Sequence, residues 1–314
     1  MLLASCNRGG ISANEPQVLH VADQLKTLQP LLAAAGEDKP TSYRIEWSTF
    51  FTGPSVISAI TGGSVDAGWM AETPLVFAQA AGSPVKVVAA SRRAAPGTSV
   101  IALVVQPGSS IHSIADLKGK AIGWMPGTLA QYLVIRLLEA NGLSTADIKP
   151  VVMTSGGPAM LKSGTVDALV TADPYLSQMI DAHQARILAT GGEPITPELQ
   201  YIVAGNAVLS DAKQSKILGD FVGRVARTIR WQREHPIEAA QVAAKVYGVS
   251  PTIGAMIASR APGRYVPIDQ GIVAAQQQEA DIFQRIGLIR KPIDAAKLFD
   301  HRYDSVVAQA EAAR

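Results

Sequence analysis

Cysteine is almost missing from this chain: one residue, Cys6, in 314. No disulfide can form within it, and no thiol is left in the folded part for catalysis or metal binding. Charge of one sign is missing too. Lys plus Arg number 28 against 26 for Asp plus Glu, and a net charge of +2 builds no basic surface for nucleic acid or an anionic membrane. No uninterrupted apolar run approaches the roughly 20 residues that span a bilayer; the longest, 100–105, reads as a buried strand. His20, His112, His183, His235 and His301 are scattered, with no pair at zinc-ligand spacing. Neither Gly-x-Ser-x-Gly nor a P-loop occurs. The reading is therefore of a protein that is not an enzyme and implies no cofactor or metal. What is present is a 47% apolar composition, enough for a sizeable core over two domains of ordinary size.

The most informative positive feature is a phrase said twice. Pro54 is followed by an apolar-polar stretch, then Gly63-Ser64-Val65-Asp66-Ala67 and Ala71-Glu72-Thr73-Pro74. Roughly a hundred residues on come Pro158, Gly164-Thr165-Val166-Asp167-Ala168 and Ala172-Asp173-Pro174. In each copy a short helix ends at Gly, which accepts the left-handed cap conformation. A β-branched strand follows, with a polar loop at its carboxyl end, where open α/β sheets bind ligands. Two such units predict two similar lobes facing each other across a cleft that closes on a small ligand.

The patterning predicts strands at 17–22, 43–47, 66–68 and 85–90, with helices at 28–35, 55–61 and 75–81. Pro54 stands at the favourable first helical position. Residues 99–105 are expected to cross out of the first lobe. A fresh unit then runs through Asp116-Leu117-Lys118-Gly119-Lys120 to a helix at 129–141, whose Leu129, Leu133, Ile135, Leu137 and Leu138 make a broad core face. The second phrase and a strand at 187–190 complete that lobe, and 200–209 is the expected return crossing. Beyond 211 the pattern is helical: 221–234, 236–247, 251–260 and 269–286. Lobe 1 is thus expected to hold 17–105 and 206–314, lobe 2 106–205, with 1–16 as a leader or tether.

The Asp116–Lys120 stretch with Gly127-Thr128 resembles type II periplasmic solute-binding proteins. Ile45-Glu46-Trp47 through Phe50 and Gly53-Pro54 narrows the resemblance. So do Gly63-Ser64-Val65-Asp66 running on to Phe77-Ala78-Gln79-Ala80-Ala81-Gly82, and Ala275-Gln276-Gln277-Gln278-Glu279-Ala280-Asp281-Ile282-Phe283. Together they resemble the aliphatic-sulfonate-binding branch, related to the nitrate and taurine binders, from about residue 17 to about 300. The resemblance implies an α/β fold of two lobes, each a sheet flanked by helices, with two crossing strands as hinge. It implies the extracytoplasmic component of an ABC importer, with a small organic anion as ligand and an inner-membrane permease as partner. Leu3-Ala4-Ser5-Cys6 resembles a bacterial lipobox; read so, the protein is periplasmic, lipid-anchored through Cys6 and monomeric. Otherwise Cys6 is a chance thiol in a tail.

Candidate ligand residues follow from their chemistry. Gly127-Thr128, a step into a helix, offers free backbone amides, a hydroxyl and the positive end of the dipole; alternatively Thr128 merely caps its helix. Arg92 and Arg93, at a strand's carboxyl end, can grip a sulfonate through two parallel bonds, or one of them is a surface residue. Trp69-Met70 and Trp124-Met125 occupy matching loops and would make an adaptable apolar wall for a greasy tail, unless they belong to the core. Gln24 stands where the family has a first-loop Gln. Asp173 matches the family's Asp-Pro-Tyr; it either meets a ligand amine or orders its loop. Phe51, Thr52 and Tyr201 are pocket neighbours. The expected ligand is a sulfonate or sulfate ester with an apolar portion. The alternatives are a pyrimidine precursor or other amine held by Glu72 and Asp173, and a desulfinase-like enzyme, which would need a cleft cysteine that the sequence lacks.

Overall fold

Among the described residues, eleven strands and twelve α-helices follow one another, beginning with two alternating runs. The first contains β1 (Gln17–Gln24), α1 (Leu28–Ala34), β2 (Tyr43–Phe50), α2 (Gly53–Thr61), β3 (Ala67–Ala71), α3 (Thr73–Ala80) and β4 (Val85–Arg93). The second contains β5 (Ile101–Val105), β6 (Ala121–Trp124), α4 (Leu129–Ala140), β7 (Lys149–Val152), α5 (Gly157–Lys162), β8 (Ala168–Ala172), α6 (Tyr175–Asp181) and β9 (Arg186–Thr190). The chain returns through β10 (Gln200–Gly205) to α7 (Asn206–Ser210), α8 (Ala212–Glu234), α9 (Pro236–Tyr247) and α10 (Pro251–Arg260). It ends with β11 (Gly263–Val266), α11 (Gln270–Arg285) and α12 (Asp304–Ala312). This computed structural model describes residues 17–39, 41–93, 99–155, 157–261 and 263–312, so the expected tether 1–16 and Cys6 lie outside the described residues.

The strands form two sheets, ordered β11-β4-β10-β3-β1-β2 and β7-β6-β8-β5-β9. In the first, β2, β1 and β3 run parallel and β10 runs antiparallel to both β3 and β4. In the second, β7, β6 and β8 run parallel and β5 runs antiparallel to both β8 and β9. The core of each sheet is therefore the same motif, three parallel strands and then one reversed strand. The repeated phrase occupies equivalent places, β3 and β8. Gly63 and Gly164 both take the left-handed conformation, at φ +73° and +75°. Asp66 accepts the His20 amide at 2.8 Å, and Asp167 accepts the Ala121 amide at 2.7 Å. Each repeated Asp thus clamps its strand to the parallel neighbour, β1 or β6.

Both expected crossings fall elsewhere. β5, assigned by pattern to the first lobe, lies inside the second sheet. Its five residues are all buried, and such an apolar strand is satisfied only with a neighbour on each side. β10, assigned to the second lobe through residue 205, lies inside the first sheet. The lobes accordingly exchange between β4 and β5 and again between β9 and β10, so lobe 1 holds β1–β4 and everything from β10 onward.

The long helix α8 starts at Ala212, earlier than the apolar pattern at 221–234 suggested. Asp211 caps it, accepting the amides of Lys213 (2.8 Å) and Gln214 (3.0 Å). Leu218, Phe221, Val222 and Val225 bury one stripe of α8 against the first sheet. The lobes also share apolar packing. Phe283 of α11 meets Phe77 of α3 at 5.1 Å and Tyr132 of α4, in the other lobe, at 5.7 Å between ring centres.

Candidate ligand cleft

A cavity of about 630 Å³ lies between the lobes at the carboxyl ends of β1, β3 and β8. Its first wall is the turn after β1, with Gln24, Leu25 and Thr27. Leu25 and Lys26 hold left-handed φ values of 60° and 57°, a strained conformation for side-chain-bearing residues. Buried Asp23 holds the turn in place by accepting the amides of Thr27 and Leu28 at 3.0 Å and Gln29 at 2.9 Å. Burial pushes the Asp23 pKa up, and those three amide bonds pull against the shift. Phe51 and Thr52 stand on the next loop, Thr52 capping α2 through the Ser55 amide. Trp69 reaches the cavity from β3.

Lobe 2 contributes Met125, Thr128, Leu129, Met153, Ser155 and the β8 end from Leu169 to Asp173. The third side is a wall that sequence reasoning missed. α9 and α10 turn Ala239, Val242, Ala243, Val246, Tyr247 and Ile257 toward the cavity. The spacing of 239, 242, 243 and 246 is an amphipathic stripe. It was legible as a helix, but nothing local says that its apolar face borders a cleft. Gly248, left-handed at φ +61°, ends α9. Pro251 starts α10 with Ser250 as cap, and the Tyr247 hydroxyl lies 2.9 Å from Thr27 Oγ1.

The candidate ligand residues separate into three groups. Gln24, Phe51, Thr52, Trp69, Arg93, Thr128 and Asp173 line the cavity. Met70, Trp124 and Tyr201 do not: they are 0%, 4% and 0% exposed and sit in the apolar cores. For Met70 the reason is alternation, because Trp69 takes the cleft face of β3 and its successor must point the other way. Trp124, at the end of β6, and Tyr201, in β10 between β3 and β4, are likewise turned into packing between sheet and helices. Arg92 and Gly127 form the third group, beside the cavity but turned from it. Arg92 pairs with Asp269 at 2.5 Å. Gly127 gives its amide to Gln131 Oε1 at 2.8 Å. At φ +66°, a Cβ there would lie 3.7 Å from Pro54, where the lobes touch.

Arg93 and Asp173 are the only charged residues on the cavity wall among the described residues. Arg93 donates from Nε to Glu198 Oε2 at 2.9 Å and from Nη1 to the Arg260 carbonyl at 2.7 Å. Asp173 accepts from Ser177 Oγ at 2.6 Å and from Arg260 Nη1 at 3.1 Å. Thr128 caps α4, accepting the Ala130 amide at 3.3 Å while its hydroxyl donates to the Met125 carbonyl at 2.8 Å. The cavity therefore combines extensive apolar lining with a positive helix end and one guanidinium.

Two α/β lobes joined by two crossings, with a deep cleft at the carboxyl ends of their strands, define a two-lobed solute-binding protein with the periplasmic-binding-protein fold. The chain matches the NMT1/THI5-like family over residues 52–239. It is 30% identical over 287 residues to an aliphatic sulfonates-binding protein of Escherichia coli (strain K12), covering 90% of this chain and 88% of that one. The alkanesulfonate-binding protein SsuA from Xanthomonas axonopodis pv. citri, solved bound to MOPS, has a TM-score of 0.81 at 26% identity, over 92% of this chain and 99% of that one. The periplasmic aliphatic sulphonate binding protein SsuA from Escherichia coli has a TM-score of 0.75 at 29% identity, over 91% and 92%. The chain belongs to the NMT1/THI5-like family, in its aliphatic sulfonate-binding branch. A desulfurization enzyme, DSZB, shares the fold at 16% identity and a TM-score of 0.65.

Proposed function

We propose that this chain is the extracytoplasmic solute-binding component of an ABC importer and that its cleft holds a sulfonate or sulfate ester with an apolar portion. The observation that carries this reading is the cavity, about 630 Å³ of mainly apolar lining with Arg93 and the amino end of α4 on its wall. The head group is placed toward Thr128, Leu129 and Arg93, where charge-assisted hydrogen bonds contribute about 1.5–3 kcal/mol each. The tail lies along Trp69, Met125, Met153 and the α9–α10 wall. Closure would bury the ligand between the lobes, and the closed form would dock on a membrane permease as a monomer.

The amine alternative loses its acidic pair. Glu72 is fully buried and stands off the cavity wall, and Asp173 is engaged by Arg260 and Ser177. An enzyme reading has no cleft thiol to use, because the sequence's single cysteine is Cys6. Periplasmic location and anchoring through Cys6 are part of the proposal: Cys6→Ser should move the protein from the membrane to the soluble fraction, and an unacylated native Cys6 would exclude the anchor.

The ligand reading is tested by thermal shift and calorimetry with methane-, octane- and benzenesulfonate, MOPS, octyl sulfate, carboxylates and amines. A ligand at 100 times its Kd stabilises by about 2.7 kcal/mol. Stabilisation by the sulfonates or sulfate ester and none by the amines is expected. Tight binding of an amine, with none of the anions bound, would reverse the assignment.

A further inference from the structure

Arg260 ends α10 and belongs to lobe 1, yet its side chain is committed to lobe 2. Nη1 donates to Asp173 Oδ1 at 3.1 Å and to Ser177 Oγ at 2.6 Å. Asp173 stands at the end of β8 and Ser177 in the first turn of α6, so both partners lie on the far lobe. The Arg260 backbone is held from the other side, because its carbonyl accepts Arg93 Nη1 at 2.7 Å. Arg93 in turn is anchored to Glu198, in the return crossing just before β10, and Glu198 accepts the hydroxyl of Ser99, in the outgoing crossing just before β5. A continuous chain of polar contacts therefore runs Ser99–Glu198–Arg93–Arg260–Asp173–Ser177. It joins both crossings to both lobes and passes the guanidinium on the cavity wall.

Arg260 terminates one helix of a closely packed pair. A Cβ on Gly254 of α10 would lie 2.5 Å from the Ala240 carbonyl of α9, so the two helices are in backbone contact. Their inner face is the apolar wall of the cleft. At 20% and 6% side-chain exposure, Arg260 and Asp173 are largely shielded from solvent, where a charge pair is screened far less than at the surface.

We propose that Arg260 is a positioning residue for ligand retention: its contacts with Asp173 and Ser177 latch the α9–α10 wall to lobe 2 when the cleft closes, and its carbonyl sets the orientation of Arg93. This rests on the reading of the cleft as a site that closes on a ligand, and is independent of the ligand's chemistry. Asp173 then serves the latch rather than the solute.

The test uses Arg260→Met, Arg260→Lys, Asp173→Asn and the Met/Asn double variant. Stopped-flow with octanesulfonate should show Arg260→Met raising the dissociation rate about thirtyfold or more with the association rate nearly unchanged, as for truncation of one partner of a shielded charge pair. Arg260→Lys should recover most of the loss. The double variant should be no worse than the worse single, since both remove the same contact. Small-angle X-ray scattering without ligand should show a larger radius of gyration for Arg260→Met than for the parent. Scattering and dissociation rates equal to the parent's, or fully additive singles, would overturn the latch. Should octanesulfonate not bind the parent, the sulfonate reading fails while the scattering comparison still decides the latch. Should Arg260→Met not fold, Arg260→Lys and Asp173→Asn carry the same comparisons.

Discussion

Arg93 is held on the cavity wall by a carboxylate more deeply buried than itself: its side chain is 12% exposed, that of Glu198 1%. Replacing Arg93 by Met should therefore do two things. It should weaken sulfonate affinity by the worth of a charge-assisted bond, about 1.5–3 kcal/mol. It should also lower the unfolding free energy, because Glu198 is left shielded without its partner. Arg93→Lys keeps the charge but loses the fork, so it should recover more of the stability than of the affinity. Calorimetry and urea melts on both variants separate the effects, and unchanged affinity in Arg93→Met would remove Arg93 from the head-group site. Thr128 makes a different prediction. Its hydroxyl is already spent on the Met125 carbonyl and the Ala130 amide. Thr128→Val should cost about 1 kcal/mol of stability as a lost helix cap, read from the same melts.

At the scale of elements, the α9–α10 pair lines the cavity and should decide how the cleft treats the proposed ligand's tail. Lengthening an alkanesulfonate should tighten binding by up to about 0.8 kcal/mol per methylene until the apolar wall is covered. Val242→Ser with Ile257→Ser should flatten that dependence, and Trp69→Ala should do the same from the opposite side. Affinities for the series from methane- to octanesulfonate check this. Tightest binding of the shortest member would mean that the tail never reaches the wall. The doubled phrase belongs to this scale as well. Its Gly and Asp residues build two matching strand-and-loop units, and Glu72 and Asp173, at corresponding places after them, have diverged. Asp173 remains at the cleft, while Glu72 is sealed between α3 and α11.

That sealed carboxyl has a consequence for the molecule as a whole. Glu72 and Glu279 are both fully buried and next to each other. Burial pushes the Glu279 pKa up to about 8; burial and the Glu279 charge push Glu72 well above the usual carboxylate range. An acid with a higher pKa folded than unfolded retains its proton in the native state after the unfolded chain has released it. The resulting stability is fully present below about pH 4.5 and is lost as pH rises toward about 8. Each such proton gives a slope of about 1.4 kcal/mol per pH unit. Denaturant melts across this window should show stability falling with pH, and Glu279→Gln should make the profile flatter. An unchanged slope in that variant would show that the pair does not hold the proton.

The sequence by itself determined the two-lobed plan, because its evidence is local and repeated: Gly63 and Gly164 can end a helix, and Asp66 and Asp167 can clamp a strand, wherever they occur. Period and capping likewise placed most helices, and the Gly-Thr step placed the amino end of α4 at the cleft. Only tertiary structure decided which crossing strand belongs to which sheet, since β5 and β10 read equally well as connectors until their neighbours are known. It also decided which of Trp69 and Met70 faces the cavity, which of Arg92 and Arg93 lines its wall, and that Trp124 and Tyr201 are core. One residue of register moves a side chain to the opposite face of a sheet, and composition does not record that choice. The α9–α10 wall and the Arg260 latch were beyond the sequence for a related reason. Both arise where segments from 83 to 220 residues apart in the chain meet around the cleft, and the partners of an apolar stripe or a charged side chain are set by that meeting.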